Sequence, residues 1–259
     1  MTTWKYGTKS LSDYGKVTTV DDYLDIPERR GGNVVLPFRH GTLHAKKFYD
    51  ERKITFGITI IQSSAANLES KIDALKKLIA PRSPQTLEMT MESGAVRTAQ
   101  AIVDSPLQIN RFSAKIARAV LEFTLFDPFW RASAVIDDNT TIIDASPKAM
   151  TVTNPGTVEE RDPTIILTGP LKNTVITNLT NGCVLTYGAT IDSGKAVTIE
   201  TVNGEYKATL TGGTNVIGNV AHSPESALLV IDAGDNTLSI ADETHTTGTV
   251  KISFKAPYL

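Results

Sequence analysis

The residues able to do chemistry are few and scattered. Only four histidines occur in 259 residues. His40 and His44, in "RHGTLH", stand four apart, a spacing that on one helix face would let two imidazoles share a metal. Gly41 and the β-like residues around it argue against a helix, and no third ligand is evident, so an ordinary loop pair is the better description. His222 and His245 fall in expected loops. Cys183 is the single cysteine, which rules out an intrachain disulfide. Nothing beside it in sequence would activate a thiol, and it is expected to be a small buried hydrophobe in a strand. "DAGDN", Asp232 to Asn236, clusters oxygen donors as a calcium loop does, but the twelve-residue template with its central Gly and terminal Glu is missing. A tight hairpin turn is expected there. "RRGG", Arg29 to Gly32, could hold an anion, although solvated loops share the pattern. Asn139-Thr-Thr and Asn178-Leu-Thr match the glycosylation acceptor pattern.

Other chemical signatures are missing from the chain. It contains no Gly-rich phosphate loop, nucleophile elbow, zinc-protease helix or paired CxxC. In "EFTLFDPFWR", residues 122 to 131, Asp127 has no recognisable acid/base partner and is followed by a proline that cannot donate to a strand ladder. The stretch therefore suggests a seam closing a strand, not a catalytic lip. No catalytic, cofactor-binding or metal residue is assigned, and no cofactor is expected.

Composition indicates how the elements are arranged. Divided after residue 135, the chain has 19 Lys+Arg against 14 Asp+Glu in its first part and 7 against 14 in its second. Formal charges of +5 and −7 thus lie behind a total of −2, and 13 of the 17 aromatic residues fall in the first part. The second part is rich in Thr, Val, Ile, Gly and Asn, a strand-forming composition. Scattered charge of this size is not the strong basic patch, interleaved with stacking aromatics, that nucleic-acid binding asks for. No apolar run approaches a membrane span, and the N-terminus lacks a signal-peptide apolar region.

Strand-like pieces cover Trp4 to Leu11 and Lys16 to Val20. From Lys53 to Ile60 the chain alternates cleanly, with Ile54, Phe56, Ile58 and Ile60 on one face. Ser63 or Ser64 can then cap a helix in which Leu68, Ile72, Leu75 and Ile79 recur before Pro81, with Asp73 and Lys77 as a supporting pair. Leu87, Met89 and Met91 alternate in a further strand. Ala117, Ala119, Leu121, Phe123 and Leu125 define the last strand before Asp127-Pro128. Residues 136–152 are expected to be a linker holding one strand at most. Beyond it, short strands starting near Thr164, Thr174, Val184, Ala196, Tyr206, Ala227, Thr237 and Val250, punctuated by Gly and Asn turns, suggest a β-sandwich. The expected organisation is 1–135, a mixed β domain with one helix; 136–152, the linker; and 153–259, the sandwich.

The order of these features resembles the distal tail protein family of long-tailed bacteriophages. The likeness lies in an opening hairpin, the "PERRGG…PFRHG" segment, the strand "RKITFGITI", the helix "NLESKIDALKKLIAP" and the closing "LEFTLFDPFW". In the second part it lies in "VTNPGTVEERDPTIILTGP", "NTVITNLTNG", "GKAVTIETVNGEYKATL" and "GDNTLSI". One departure is Pro37-Phe38-Arg39-His40-Gly41, where the family often has Pro-Gly before this step. The resemblance implies a non-enzymatic virion protein of the tail tip or baseplate, assembled in the host cytoplasm. It implies a homo-hexameric ring formed by residues 1–135, with a pore for DNA, and a galectin-like second domain. Implied partners are the tail-tube protein, the tail-tip hub or tail-associated protein, and a receptor-binding protein. Neither sequence-specific nucleic-acid binding nor membrane insertion is implied. By position, Arg39, His40, Phe48, Tyr49, Phe129 and Trp130 are candidates for a subunit or domain interface. A carbohydrate-binding adhesion module is the competing expectation, weakened because the second part holds only Tyr187, Tyr206, Phe254 and Tyr258 as aromatics.

Overall fold

The computed structural model describes residues 2–35, 38, 40–45, 47–202, 204–222, 228–244 and 247–259, apart from the side chains of Val34 and Asp138. The chain forms two compact units, Met1–Ser133 with Leu259, and Ala134–Tyr258.

In the first unit one sheet runs through Lys9–Ser10, Thr3–Tyr6, Gln85–Thr90, Val96–Ile102, Ile116–Leu125, Arg52–Ile61 and Lys16–Asp21. The pairings along this path are all antiparallel. Arg52–Ile61 and Ile116–Leu125 pair over ten residues, from Arg52↔Leu125 to Ile61↔Ile116. Period-two alternation places Ile54, Phe56, Ile58 and Ile60 of one strand, and Ala117, Ala119, Leu121, Phe123 and Leu125 of the other, in the core. Gly57 interrupts the first of these. A Cβ there would meet Thr19 Oγ1 and force that side chain to turn away, so glycine eases the close approach of Lys16–Asp21, which bulges between Val17 and Thr19.

The helix Ala65–Ile79 begins where Ser64 Oγ accepts from the Asn67 amide at 3.2 Å. Leu68 and Leu75 are buried, whereas Ile72 and Ile79 are only half-buried, so the inward stripe is narrower than the spacing suggested. Asp73 pairs with Lys76 at 3.1 Å and not with Lys77.

The second unit is a sandwich of two antiparallel sheets. One runs Ile136–Ile142, Thr249–Phe254, Thr164–Thr168, Ala196–Val202, Glu205–Leu210 and Thr214–Asn215; the other runs Lys148–Asn154, Gly234–Ala241, Leu171–Asn178, Val184–Ile191 and Val220–His222. Their inner faces share one core that includes Cys183, Tyr187 and Phe254. The stretch expected as a linker belongs to this unit. Ile136–Ile142 pairs with Thr249–Phe254, Lys148–Asn154 pairs with Gly234–Ala241, and Ile143, Met150 and Val152 enter the core. Asp137, Asn139 and the threonines disguise the first of these strands because it lies at a sheet edge, where polar residues are tolerated.

Leu228–Ile231, expected as part of a strand, is buried, but among the described residues its backbone pairing is one isolated bridge, between Ile231 and Glu160, outside both sheets. Side-chain amides hold it instead. Asn178 Nδ2 donates to Val230 O at 2.8 Å and to Asn236 Oδ1 at 2.9 Å, and Asn154 Nδ2 donates to Ile231 O at 3.2 Å. Asn236 also receives the Asp232 amide and returns a bond to Asp232 O, which makes "DAGDN" a tightly bonded turn. Asn178 is fully buried and thus closed to glycosylation.

Candidate assembly surface

The first unit carries an arm. After Lys16–Asp21 the chain leaves the sheet and returns at Arg52, pairing with itself in two short ladders, Arg29–Arg30 with Phe48–Tyr49 and Val34–Val35 with Thr42–Leu43. Apolar residues line it in the open: Val35, Phe38 and Leu43 are all more than half exposed. Phe38 has φ 63° and Gly41 φ 90°, a turn that leaves the Phe38 ring without cover. These three side chains leave their apolar surface open to solvent.

The candidate residues fall in different environments. Arg39 lies outside the described residues. His40 and His44 are exposed on the arm. Phe48 is exposed, and Tyr49 is half-buried and meets Phe129 edge-on at 5.6 Å. Arg29 lies over the Tyr49 ring, 5.1 Å from its centroid, and its Nη2 donates to Tyr49 Oη at 3.1 Å. Trp130 is not a surface residue. It is fully buried, tilted against Trp4 at 6.0 Å, and its Nε1 donates to Tyr23 O at 3.3 Å. Of two adjacent aromatics only one can point inward along a strand, and here it is Trp130.

Asp127 organises that choice. Its Oδ1 accepts from the Phe129 amide at 3.3 Å, and its Oδ2 accepts from Arg131 Nε and Nη2, both at 3.1 Å. Replacing Asp127 with Ala is expected to lower stability by about 1 kcal/mol, since the pair is partly exposed but the turn loses an amide acceptor. Asp127→Asn, which keeps that acceptor, should recover part of the loss in urea unfolding.

Residue-type reasoning missed Arg52. It opens the long strand, is 2% exposed, and gives Nη1 to Tyr23 O at 3.0 Å, while its Nε and Nη2 have no acceptor. Burial pushes its pKa down from the ordinary arginine value, against the opposing pull of Asp25. It lines a cavity of about 620 Å3 at the root of the arm together with Asp22, Asp25, Glu28, Asp50 and Glu51. No sequence signal marks this arginine, because the segment that covers it is distant in the chain.

Comparison with known proteins gives the following. Residues 10–125 match the model of the phage tail protein RIFT-related domain. The crystal structure of phage SPP1 Dit (gp 19.1), described as a paradigm of the hub adsorption apparatus in phages infecting Gram-positive hosts, is similar with a TM-score of 0.73. The two share 14% identity over 98% of this chain and 99% of that one. A chain of the phage p2 baseplate in its activated conformation with calcium aligns over 100% of both chains at 11% identity, with a TM-score of 0.48. No curated protein matches by sequence.

Proposed function

From the match of residues 10–125 to the model of the phage tail protein RIFT-related domain, we infer a structural part of a bacteriophage tail tip, an adaptor between the tail and its baseplate hub. The observation that carries this reading is the family match in the first unit, set within a fold shared along almost the full length with the SPP1 protein. The role is non-enzymatic. The first unit assembles as a hexameric ring that leaves a pore for DNA, stacks on the tail-tube protein and receives the tail-tip hub. The exposed apolar arm supports this, because a closed ring buries such surface on every copy. The second unit, a galectin-like sandwich, docks a further tail-associated or receptor-binding protein. Tyr187 and Phe254 are inside its core, which favours protein docking over a sugar platform.

The test is mass in solution for the full chain, by sedimentation and negative-stain imaging. A hexamer with ring-shaped particles is expected. A species that stays monomeric at every concentration would sink the ring.

A further inference from the structure

We propose that the acidic cavity at the arm's root, with Arg52 in its wall, is the socket that receives the cationic arm of a second copy of this chain. The proposal rests on the ring reading and specifies its contact.

Charge along this segment is segregated. Residues 21–28, "DDYLDIPE", hold Asp21, Asp22, Asp25 and Glu28 with no Lys or Arg, and Asp50 and Glu51 follow the arm. Residues 29–47 hold Arg29, Arg30, Arg39, Lys46 and Lys47 with no Asp or Glu. Among the described residues no ion pair joins the arm's cations to the root's carboxylates. The first ladder, Arg29–Arg30 with Phe48–Tyr49, starts the hairpin outward from the root. Each copy thus offers a basic arm and an acidic root that do not pair with each other, although Lys53, also in the cavity wall, meets Glu51 at 3.8 Å; this is the complementarity of a head-to-tail contact.

Arg52 indicates what the socket needs beyond charge. Its Nε and Nη2 are buried donors without acceptors, an arrangement that costs free energy until acceptors arrive. A peptide lying in the cavity meets the carboxylates of Asp22, Asp25, Glu28 and Asp50 with its Lys or Arg side chains, and only a shift of the wall would bring its backbone carbonyls to the buried Arg52 nitrogens. A free anion would meet five carboxylates against the two cations Arg52 and Lys53 in this wall, a balance that disfavours it.

The experiment exchanges charge in the full chain. One variant carries Arg29→Glu, Arg30→Glu and Lys47→Glu, which take the arm from +5 to −1; the other carries Asp21→Lys, Glu28→Lys, Asp50→Lys and Glu51→Lys, which take the root from −6 to +2; all are at exposed positions. Each alone should self-associate about 100-fold more weakly than the unmodified protein. A one-to-one mixture should restore assembly, because arm and root are again opposite at every contact of an alternating ring. The socket is overturned if either variant assembles normally, or if the mixture stays dissociated while both variants unfold at the unmodified temperature. An arm variant that assembles normally but loses retention on duplex DNA would assign the arm to phosphate instead. A monomeric unmodified protein would overturn the ring reading, a result distinct from all of these.

Discussion

Replacing Trp130 with Ala is expected to destabilise the first unit by about 4 kcal/mol, a large share of the 5–15 kcal/mol that holds a typical domain. Trp130 is among the largest fully buried side chains, and neither Trp4 nor the backbone at Tyr23 can move far enough to fill the space. Tyr23 O would lose one of its two donors but keep Arg52 Nη1, so the hydrogen-bond loss is secondary to the cavity. Trp130→Phe refills much of the volume and should cost less than half as much. Guanidinium unfolding should show the transition of the first unit moving to lower denaturant while that of the second stays in place. An unmoved first transition would contradict the assignment of Trp130 to the core.

Asp242→Asn should act as strongly on the second unit, at about 2–4 kcal/mol near neutral pH. The Asp242 carboxylate is 4% exposed. Its Oδ2 accepts from the Lys172 amide and Thr174 Oγ1, each at 2.8 Å, and its Oδ1 accepts from the Thr244 amide at 2.8 Å and from Thr244 Oγ1. An asparagine would turn an NH2 group toward donors on one side. Burial alone raises the Asp242 pKa, but these hydrogen bonds to its charged form outweigh that and hold it below the ordinary carboxyl value. A depressed folded value means the stabilisation is complete above the unfolded pKa and is lost as pH falls through the folded one. The gap in urea midpoint between the unmodified chain and Asp242→Asn should therefore be widest near pH 7 and shrink below about pH 4. A gap that does not change with pH would mean that the carboxylate's charge contributes nothing.

Where local periodicity and local caps decide the structure, the sequence was sufficient. The Ile54–Ile60 alternation, the Ser64 cap and the strand ending at Leu125 all depend on neighbours within a few residues. Features that depend on distant partners were not legible. The arm's ladders are two residues long and show no alternation, so nothing in "RRGGNVVLPFRHG" marks a hairpin. Arg52 looks like an ordinary solvated start of a strand, and only the packing of the Tyr23 segment buries it. "ALLVI" has the apolar run of a strand, yet Asn154 and Asn178 from two separate strands, with Asn181 beside them, bond the carbonyls of Val230 and Ile231. The ring is an expectation carried by family resemblance alone, since no spacing of residues indicates it.

The ten-residue pairing that begins at Arg52 has a mechanical consequence. The arm's return strand runs through Asp50 and Glu51 directly into it, with Ile116–Leu125 bonded on one side and Lys16–Asp21 on the other. Antiparallel hydrogen bonds lie across the strand direction, so tension entering along that strand loads them in shear. They must then yield together, whereas the two-residue ladders of the arm can open one bond at a time. A force arriving from a neighbouring copy would thus peel the arm open long before it drew the strand from its sheet.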